Sequence, residues 1–215
     1  MIKLYGAPLS PYYNKVKIAL MEKGVKFEEV LMRPSQDLEV LEKSPMGKIP
    51  FVDINGHALS ESTAIIEWLE DAYPTATLLP PTPNGRAHAR EMMLMIDLYL
   101  APACTPVVRH RLFNTPLDDA GRQTARTAIL RALTALARLA QYGPWLAGEQ
   151  FSFADVSAAA VFPVVKFAGR ELGEDLLTSL PGSDIYLTQL VTRESIRRTW
   201  AEREAAINLI LEPKV

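Results

Sequence analysis

The stretch MGKIPFVDINGHALSESTAII, residues 46–66, decides the first part of the fold. Pro50 opens its apolar run instead of lying within it, because proline has no backbone donor and disrupts a strand ladder. Residues 51–54 are therefore predicted to form a short strand. Asn55-Gly56 follows, and both residues tolerate the positive φ that a type I′ turn requires twice. A second strand over residues 57–59 is predicted to return beside the first and complete a β-hairpin.

The hairpin leads directly into a predicted helix. Ser60 or Ser62 is expected to cap it, and Pro74 to end it. Its apolar residues recur at helical spacing: Ile65, Trp68, Leu69, Ala72 and Tyr73. A helix N-terminus has unpaired N–H groups that hold a carboxylate, and Glu61 beside it can hold an ammonium group. Glu61-Ser62 is therefore either a plain cap with an acidic neighbour or a site suited to an α-amino acid.

The chain before this stretch alternates strands and helices. A strand over residues 2–5 is followed by Ser10-Pro11, an N-cap with proline at the first helical position, and by a helix that ends at Lys23-Gly24. A second strand is predicted over residues 26–31 and a short helix over 38–42. The resulting order β-α-β-α-β-β-α matches a thioredoxin-like α/β domain, whose parallel strands require helical crossovers.

A proline-rich connection separates this part from the rest of the chain. Residues 74–85 combine many proline and turn residues, so we predict a linker at 81–85. The two predicted domains are residues 1–80 and residues 86–215. The second of them has a helical pattern throughout, which predicts an all-α helical bundle.

Two long helices open the second part. The first is predicted from Arg86 to Phe113, with kinks at Pro102 and Pro106, because a proline inside a helix removes a hydrogen bond. Asp118 is expected to cap the next helix, which is predicted to end at Gly143-Pro144.

A helix-start motif follows near residue 150. Ser152 is a predicted N-cap with Asp155 three residues later, a capping box with aspartate in place of Glu or Gln. Phe151 and Val156 occupy the two positions of a hydrophobic staple around this cap. We expect Asp155 to stabilise the fold and to take no part in catalysis.

Composition excludes several classes of protein. The chain has 215 residues, 48% of them hydrophobic, and can bury a sizeable core. The net charge of −2 provides no basic field for nucleic acid, which is not an expected partner. Met1 leads straight into a strand, and we identify no apolar run long enough to cross a bilayer. No membrane contact and a cytoplasmic location are therefore predicted.

Cys104 is the single cysteine of the sequence. A single cysteine excludes an intrachain disulfide, a CxxC redox pair and a multi-cysteine zinc site, and no metal is predicted. Any thiol chemistry must therefore use a sulfur from a ligand or Cys104 itself.

Two of these motifs carry a family resemblance over nearly the whole chain. MGKIP before a hairpin, with Glu61-Ser62 opening the next helix, resembles the glutathione-binding half of cytosolic glutathione transferases. The capping box of Ser152 and Asp155 resembles the folding motif of that family's helical domain. The chain is thus similar to a bacterial-type member. The resemblance implies a thioredoxin-like N-terminal domain followed by an all-α C-terminal bundle.

The resemblance also implies how glutathione binds. The Ile49-Pro50 bond is expected to be cis, with the Ile49 backbone paired to the cysteinyl part of glutathione. Glu61 and Ser62 are expected to hold the γ-glutamyl end. No residue near position 36 matches a ligand for the glycyl carboxylate, and Gln36 and Lys48 are our assignments for that role.

Ser10 is the expected thiol-activating residue. A serine before proline at a helix start is commonly a plain cap, but a hydroxyl in this position also stabilises a nearby thiolate, aided by the helix dipole. In the resembling family the thiolate is held by a serine or cysteine at this helix start or by a tyrosine at the end of the first strand. Tyr5, Tyr12 and Tyr13 are therefore lesser candidates. A serine-type site favours conjugation, dehalogenation or isomerisation over disulfide exchange.

The kinked helix is expected to border the pocket for the electrophile. The candidate walls are Tyr12, Tyr99, Cys104, Val107 and Arg109. Each of them has ordinary helix packing as its alternative role. Asp97 is a further candidate, as a residue that reaches across a dimer to the γ-glutamyl ammonium group.

These observations lead to one hypothesis with two alternatives. The hypothesis is a homodimeric, cytoplasmic glutathione transferase that conjugates glutathione to a small, largely apolar electrophile in detoxification. The first alternative is a transferase-like adaptor that binds a protein without turnover. The second is a glutathione-dependent disulfide reductase, which the absence of a cysteine at position 10 disfavours.

Overall fold

A four-stranded sheet forms the first part of the computed structural model, which describes residues 1–212. Its strands are β1 (Ile2–Gly6), β2 (Phe27–Leu31), β3 (Phe51–Ile54) and β4 (His57–Ser60), in the order β2-β1-β3-β4. β1 is parallel to β2 and antiparallel to β3, and β3 and β4 form the predicted hairpin. Residues 213–215, the end of the predicted helical domain, lie outside the described residues.

Three helices complete this part. They are α1 (Pro11–Glu22), α2 (Leu38–Leu41) and α3 (Ser62–Ala72). α1 and α3 pack against each other and against the sheet, where Leu4 and Val52 are completely buried. The predicted order β-α-β-α-β-β-α and the thioredoxin-like arrangement are therefore confirmed.

The predicted signals at the turn and at the ends of α1 are present. Asn55 and Gly56 adopt the positive φ, 54° and 93°, that the hairpin turn requires. Ser10 is the N-cap of α1, and its Oγ accepts a hydrogen bond from the backbone N–H of Tyr13 (3.3 Å). At the other end, Gly24 has a φ of 64°, which suits the residue after a helix C-cap. Local sequence is therefore sufficient to set these boundaries.

The long helix of the second part is interrupted. α4 (Pro83–Met95) begins three residues before the predicted start, with Thr82 as its N-cap, and α5 (Ala101–Phe113) completes the run. Between them, Ile96–Leu100 forms a π-helical segment in which the N–H of Ala101 bonds to the carbonyl of Ile96. The wide turn lies just before Pro102, which has no N–H to continue the α-helical ladder.

Taken together, α4, the π-helical segment and α5 correct one expectation from the sequence. Pro83–Phe113 spans 31 residues, and its most apolar 18-residue window has a mean hydropathy of 1.3, so by length and composition alone it could cross a membrane. The core helix of a globular protein meets the same test, and 44% of that window is buried inside this fold.

Four further helices form the rest of the described chain. They are α6 (Asp119–Ala137), α7 (Phe153–Leu172), α8 (Ser183–Leu190) and α9 (Glu194–Leu211), with a 3₁₀ turn at Leu176–Ser179. Asp118 caps α6 as predicted by accepting from the N–H of Gly121 (2.8 Å). α6 ends before the predicted Gly143-Pro144, and an irregular segment leads from it to α7. The predicted helical architecture is confirmed, although that helix end is placed too late.

Asp155 is the buried anchor of this irregular segment. Its carboxylate accepts hydrogen bonds from the backbone N–H of Ser152 (2.8 Å), the Ser152 hydroxyl (3.0 Å), the Leu146 N–H (2.9 Å) and the Tyr186 hydroxyl (2.7 Å). Burial raises the pKa of Asp155, and these four donors oppose that rise. The predicted cap is therefore also a junction that ties the segment before α7 to α8.

The two parts of the chain meet along a tight junction. α7 packs against α1 as well as against α4 and α5. Glu70 of α3 pairs with Lys23 (2.8 Å) and accepts from the Leu78 N–H (3.1 Å), while the Phe153 N–H donates to the Leu78 carbonyl (2.9 Å). Burial acts to raise the pKa of Glu70, but hydrogen bonds, first that from Lys23, outweigh burial and lower it. The division into residues 1–80 and 86–215 stays a prediction.

Candidate active site

Sheet register brings the predicted binding segments to one end of the sheet. Tyr5 near the end of β1 pairs with Phe51 at the start of β3, and Phe51 pairs with Ser60 at the end of β4. The loop to Ser10, the Ile49-Pro50 bond and the Glu61-Ser62 pair are each connected directly to these strand ends. Residues as far apart in the sequence as Tyr5 and Ser60, 55 positions, therefore share one edge.

Ser10 has a hydroxyl that is available as a donor. Its Oγ accepts one hydrogen bond from the Tyr13 N–H, and the side chain is partly exposed at the N-terminus of α1. The O–H remains free to donate to a ligand, and a helix N-terminus favours a negative charge. The position suits the stabilisation of a thiolate.

The Ile49-Pro50 bond is cis, as expected from the resemblance. The loop before it is held by two hydrogen bonds, from the Ser35 N–H to the Gly47 carbonyl (3.1 Å) and from the buried Ser44 hydroxyl to the Lys48 carbonyl (2.8 Å). Gly47 has a φ of 62°, and an added Cβ would lie 2.1 Å from the Ser35 carbonyl oxygen. Only glycine fits at this position.

Glu61 occupies the N-cap of α3, so the predicted cap by Ser60 or Ser62 is wrong. Its φ is 69° and ψ is 110°, an uncommon backbone conformation for a residue with a side chain. This conformation turns the chain sharply from β4 into the helix, and no side chain caps the first turn. The first N–H groups of α3 thus remain available to a ligand carboxylate, beside the exposed Glu61 carboxylate.

A buried ion pair joins α1 to the π-helical segment, next to Thr63 of α3. Lys15 of α1 donates to the Thr63 hydroxyl (2.8 Å) and forms an ion pair with Asp97 of the π-helical segment. Burial lowers the pKa of Lys15, and Asp97 opposes that effect. Asp97 is only 5% exposed and is bound within its own chain, which contradicts the expected reach across a dimer. A buried carboxylate with a cationic partner is costly to expose.

The three tyrosine alternatives differ in their surroundings. Tyr13 is 2% exposed and donates to Glu29 (2.5 Å), so its hydroxyl is not available to a thiol, a correction to its candidacy. Tyr12 donates to the Asp97 carbonyl (2.9 Å), and burial raises its pKa to about 12. Tyr5 stacks on Phe51 with ring centroids 4.5 Å apart. Tyr5 and Tyr12 stay as lesser predictions.

The predicted pocket walls separate into two groups. Cys104 and Val107 are completely buried in the main core, which contradicts their assignment as walls of an open pocket. Burial raises the pKa of the Cys104 thiol to about 12. Tyr99 and Arg109 are exposed, and they remain untested predictions. Helical spacing alone could not show which face of α5 turns toward α7.

A small apolar cluster next to Ser10 was not predicted. Its buried members are Leu112, Phe167 and Ile207, and Leu9, Val108 and Leu211 pack against them. Leu9 immediately precedes Ser10 in the chain, so one member of this cluster adjoins the predicted thiol site. The four elements that build it are far apart in sequence, and no local pattern links them.

Gln36, in the loop between β2 and α2, and Lys48, in the loop before β3, are both exposed. The Gln36 amide lies 3.4 Å from the Met46 carbonyl and 3.5 Å from that of Ser35, both long for hydrogen bonds. Their assignment to the glycyl carboxylate stays a prediction. Within residues 1–212, no group of three or more His, Cys, Asp and Glu side chains is placed to hold a metal ion.

Comparison with known proteins supports both parts of the fold. The family model "Glutathione S-transferase, N-terminal domain" matches residues 4–81, and "Glutathione S-transferase, C-terminal domain" matches residues 119–184. A glutathione S-transferase of Pseudomonas putida is 31% identical over 213 residues, which cover 99% of this chain and 97% of the relative.

Two further matches broaden the comparison. A probable maleylacetoacetate isomerase of Caenorhabditis elegans is 32% identical over 161 residues, 73% of each chain. The crystal structure of a glutathione S-transferase from Rhodospirillum rubrum has a TM-score of 0.79 and 27% identity, and the match covers 93% of this chain and 91% of that one. By sequence over its whole length and by fold, the chain belongs to the glutathione S-transferase family.

Proposed function

We propose that this glutathione transferase activates the thiol of glutathione with Ser10 and anchors the peptide with Ile49, Pro50, Glu61 and Ser62. The observation that carries the proposal is the shared sheet edge, at which Tyr5, Phe51 and Ser60 are in register. Family membership supports transferase activity, and the register supports these residues as one site.

The γ-glutamyl end of glutathione carries an ammonium group and a carboxylate on one carbon. The exposed Glu61 carboxylate pairs with the ammonium group, and the uncapped N–H groups at the start of α3 bind the carboxylate. The uncommon backbone conformation of Glu61 serves both contacts because it directs the chain into α3 without a side-chain cap. A site of this kind recognises the amino acid end and not the thiol.

Ser10 then acts on the sulfur. Its O–H donates to the thiolate and, with the N-terminus of α1, lowers the pKa of the bound thiol. The thiolate attacks the electrophilic carbon of the second substrate, a C–S bond forms, and the leaving group departs with the bonding electrons. Holding both reactants beside each other supplies a further part of the rate enhancement. Leu9 and Val108, two partly buried members of the apolar cluster, favour an apolar electrophile.

Three other functions are distinguishable from this one. Isomerisation is the second candidate, because the Caenorhabditis elegans relative is named an isomerase and the same thiolate can add to and leave an alkene. A disulfide reductase is disfavoured, since the only cysteine is buried and its thiol pKa is raised to about 12. An adaptor without turnover is the remaining alternative.

Glutathione binding tests the peptide site. Glu61→Gln is expected to weaken binding about tenfold, because a charge-assisted contact contributes roughly 1.5–3 kcal/mol. Calorimetric titration of wild type and variant measures the change, and Glu149→Gln, an exposed glutamate in the segment before α7, is the matched control. Equal affinity of Glu61→Gln and wild type would remove Glu61 from the site. If wild type itself does not bind glutathione, the adaptor takes the place of the enzyme.

We also propose a homodimer formed through one face of α4 and the π-helical segment. Leu94, Leu98 and Tyr99 are 41%, 60% and 62% exposed there, and they line a groove of about 730 Å³ with His88 and Glu91. Exposed apolar residues grouped on one helix face are typical of a surface that another chain covers. A second copy of this chain is the proposed occupant. Cytoplasmic location and a role in detoxification complete the proposal, supported by the single unpaired cysteine and the family.

Leu98→Glu is expected to convert the dimer to a monomer, because a charge in an apolar interface loses its hydration without a partner. Sedimentation velocity distinguishes the 23.9 kDa chain from twice that mass. Leu209→Glu, a change at a leucine on α9 that is 74% exposed, is the control and is expected to leave the mass unchanged. A wild-type chain that sediments as a monomer at micromolar concentration contradicts the proposal.

A further inference from the structure

Asn14 is a buried amide in the first half of α1. Residues 13–20 of this helix are all buried, and three of them carry an amide or a charge: Asn14, Lys15 and Lys17. Both lysines form ion pairs with carboxylates on other elements. Asn14, which is only 2% exposed, instead bonds to the loop that precedes its own helix. Its side chain therefore acts on the segment that leads into Ser10.

This loop is a β-turn from Ala7 to Ser10. The Ser10 N–H donates to the Ala7 carbonyl (3.0 Å) and closes the turn, and proline occupies its second position, where it is favoured. The carbonyl of Pro8 belongs to the central peptide of the turn, and the Nδ2 group of Asn14 donates to that carbonyl (2.8 Å). This hydrogen bond fixes the plane of the turn relative to α1.

Asn14 holds the backbone on both sides of Ser10. Its own N–H donates to the Ser10 carbonyl (3.1 Å), and its side chain holds the peptide bond between Pro8 and Leu9. The Cα–Cβ bond that directs the Ser10 hydroxyl therefore has a defined orientation relative to α1. The backbone bond survives any substitution at position 14 that keeps the N–H, whereas the contact with the turn requires a side-chain donor.

The oxygen of the Asn14 amide contributes nothing comparable. Oδ1 is buried, and it has no hydrogen-bond partner among residues 1–212. A buried acceptor without a donor lowers the stability of a fold, so packing alone would favour an apolar side chain at this position. The contact of Nδ2 with the turn is therefore the feature of Asn14 that an apolar residue cannot supply.

We infer that Asn14 is a positioning residue for the thiol-activating hydroxyl, an inference that rests on the proposed role of Ser10. A hydroxyl stabilises a thiolate only at hydrogen-bond distance. In the proposed site the peptide is anchored separately, by Ile49 and Glu61, so a small rotation of the turn moves the Ser10 hydroxyl relative to the sulfur and leaves these anchors in place. Asn14 thus controls the reactivity of the bound thiol and not the affinity for glutathione.

Asn14→Leu tests the inference, because leucine has a similar size and branching but no donor for the Pro8 carbonyl. We expect this variant to raise the pKa of the bound glutathione thiol by about one unit, half the effect expected of Ser10→Ala, and to lower kcat/KM for conjugation at neutral pH about tenfold. The thiolate absorbance of bound glutathione, titrated against pH, measures the pKa. Glutathione affinity, measured by calorimetry, is expected to change less than about threefold.

A double-mutant cycle tests whether Asn14 acts through Ser10. Ser10→Ala leaves no hydroxyl to position, so adding Asn14→Leu to it is expected to leave the thiol pKa unchanged. An equal rise of the thiol pKa with and without Ser10, or no rise in Asn14→Leu alone, would overturn the inference and leave the proposed function intact. An unchanged thiol pKa in Ser10→Ala would instead contradict the proposed role of Ser10 and the inference together.

Ser183→Ala is the matched control for lost stability. The buried Ser183 hydroxyl donates to the Leu177 carbonyl (2.8 Å), so this variant also removes a side-chain donor from a backbone carbonyl, but on α8, which carries no predicted site residue. Its midpoint of thermal unfolding is expected to fall at least as far as that of Asn14→Leu, with the thiol pKa of wild type. A thiol pKa raised equally by the control would overturn the inference. If Asn14→Leu does not fold, Asn14→Ala takes its place with the same expected results.

Discussion

Asp155→Ala is expected to lower the free energy of unfolding by about 3–5 kcal/mol, because each buried donor left without an acceptor costs about 1–3 kcal/mol. Four donors lose their acceptor together: the N–H groups of Leu146 and Ser152 and the hydroxyls of Ser152 and Tyr186. Loss of an N-cap alone costs about 0.5–2 kcal/mol, and the difference reflects the additional bonds to Leu146 and Tyr186.

Urea unfolding followed by circular dichroism measures this loss. Asp118→Ala is the matched control, because Asp118 also caps a helix but, within residues 1–212, accepts only from Gly121 (2.8 Å) at an exposed position. We expect the control to lose about 1 kcal/mol. Glutathione affinity of folded Asp155→Ala is expected to equal that of wild type. A loss no greater than that of Asp118→Ala would contradict the role of Asp155 as a junction.

Ser10→Ala is expected to lower kcat/KM for conjugation about 100-fold at neutral pH while glutathione affinity changes less than threefold. In the proposed site the hydroxyl contacts the sulfur and not the ends of the peptide. Its removal is therefore expected to raise the pKa of the bound thiol by about two units, and each unit corresponds to about 1.4 kcal/mol. The free thiol has a pKa of about 8.5, so most of the bound thiol is then protonated at neutral pH.

The thiolate absorbance of bound glutathione, titrated against pH, measures this shift directly. The pH profile of conjugation is expected to move upward by the same amount, so that activity recovers as pH rises through the higher thiol pKa. Ser10→Thr keeps the hydroxyl and is the matched control, expected to retain a low thiol pKa. Ser10→Ala also removes the cap contact to Tyr13, at about 1 kcal/mol of stability, so unfolding is measured alongside. An unchanged thiol pKa in Ser10→Ala would transfer the role to Tyr5 or Tyr12.

Local chemistry of the sequence determined the element order and many of the element ends. Asn55-Gly56 set the hairpin and Ser10-Pro11 set the start of α1. The capping box at Ser152 and the cap at Asp118 likewise act within four residues of their own position. These element ends can be predicted from the sequence because the conformation of a turn and the unpaired N–H groups at a helix end depend only on residues nearby in the chain.

The cap of α3 shows where local chemistry was insufficient. Ser60 and Ser62 are both good capping residues, yet Glu61 takes the N-cap in an uncommon backbone conformation. Pairing of Ser60 with Phe51 holds the end of β4 in the sheet, and α3 begins at the buried Ser62. Sheet and helix together thus require a sharp turn at the single residue between them.

Only the tertiary structure decided which distant parts of the chain each helix residue packs against or pairs with. Cys104 and Val107 turn into the core, Asp97 pairs with Lys15, and the buried Nε of Arg203 has no hydrogen-bond partner among residues 1–212. Helical periodicity places residues on a common face but does not say which neighbour that face meets. Asp97 and Lys15, for example, are 82 positions apart in the sequence, and packing of complete helices and strands, not local preference, brings them together.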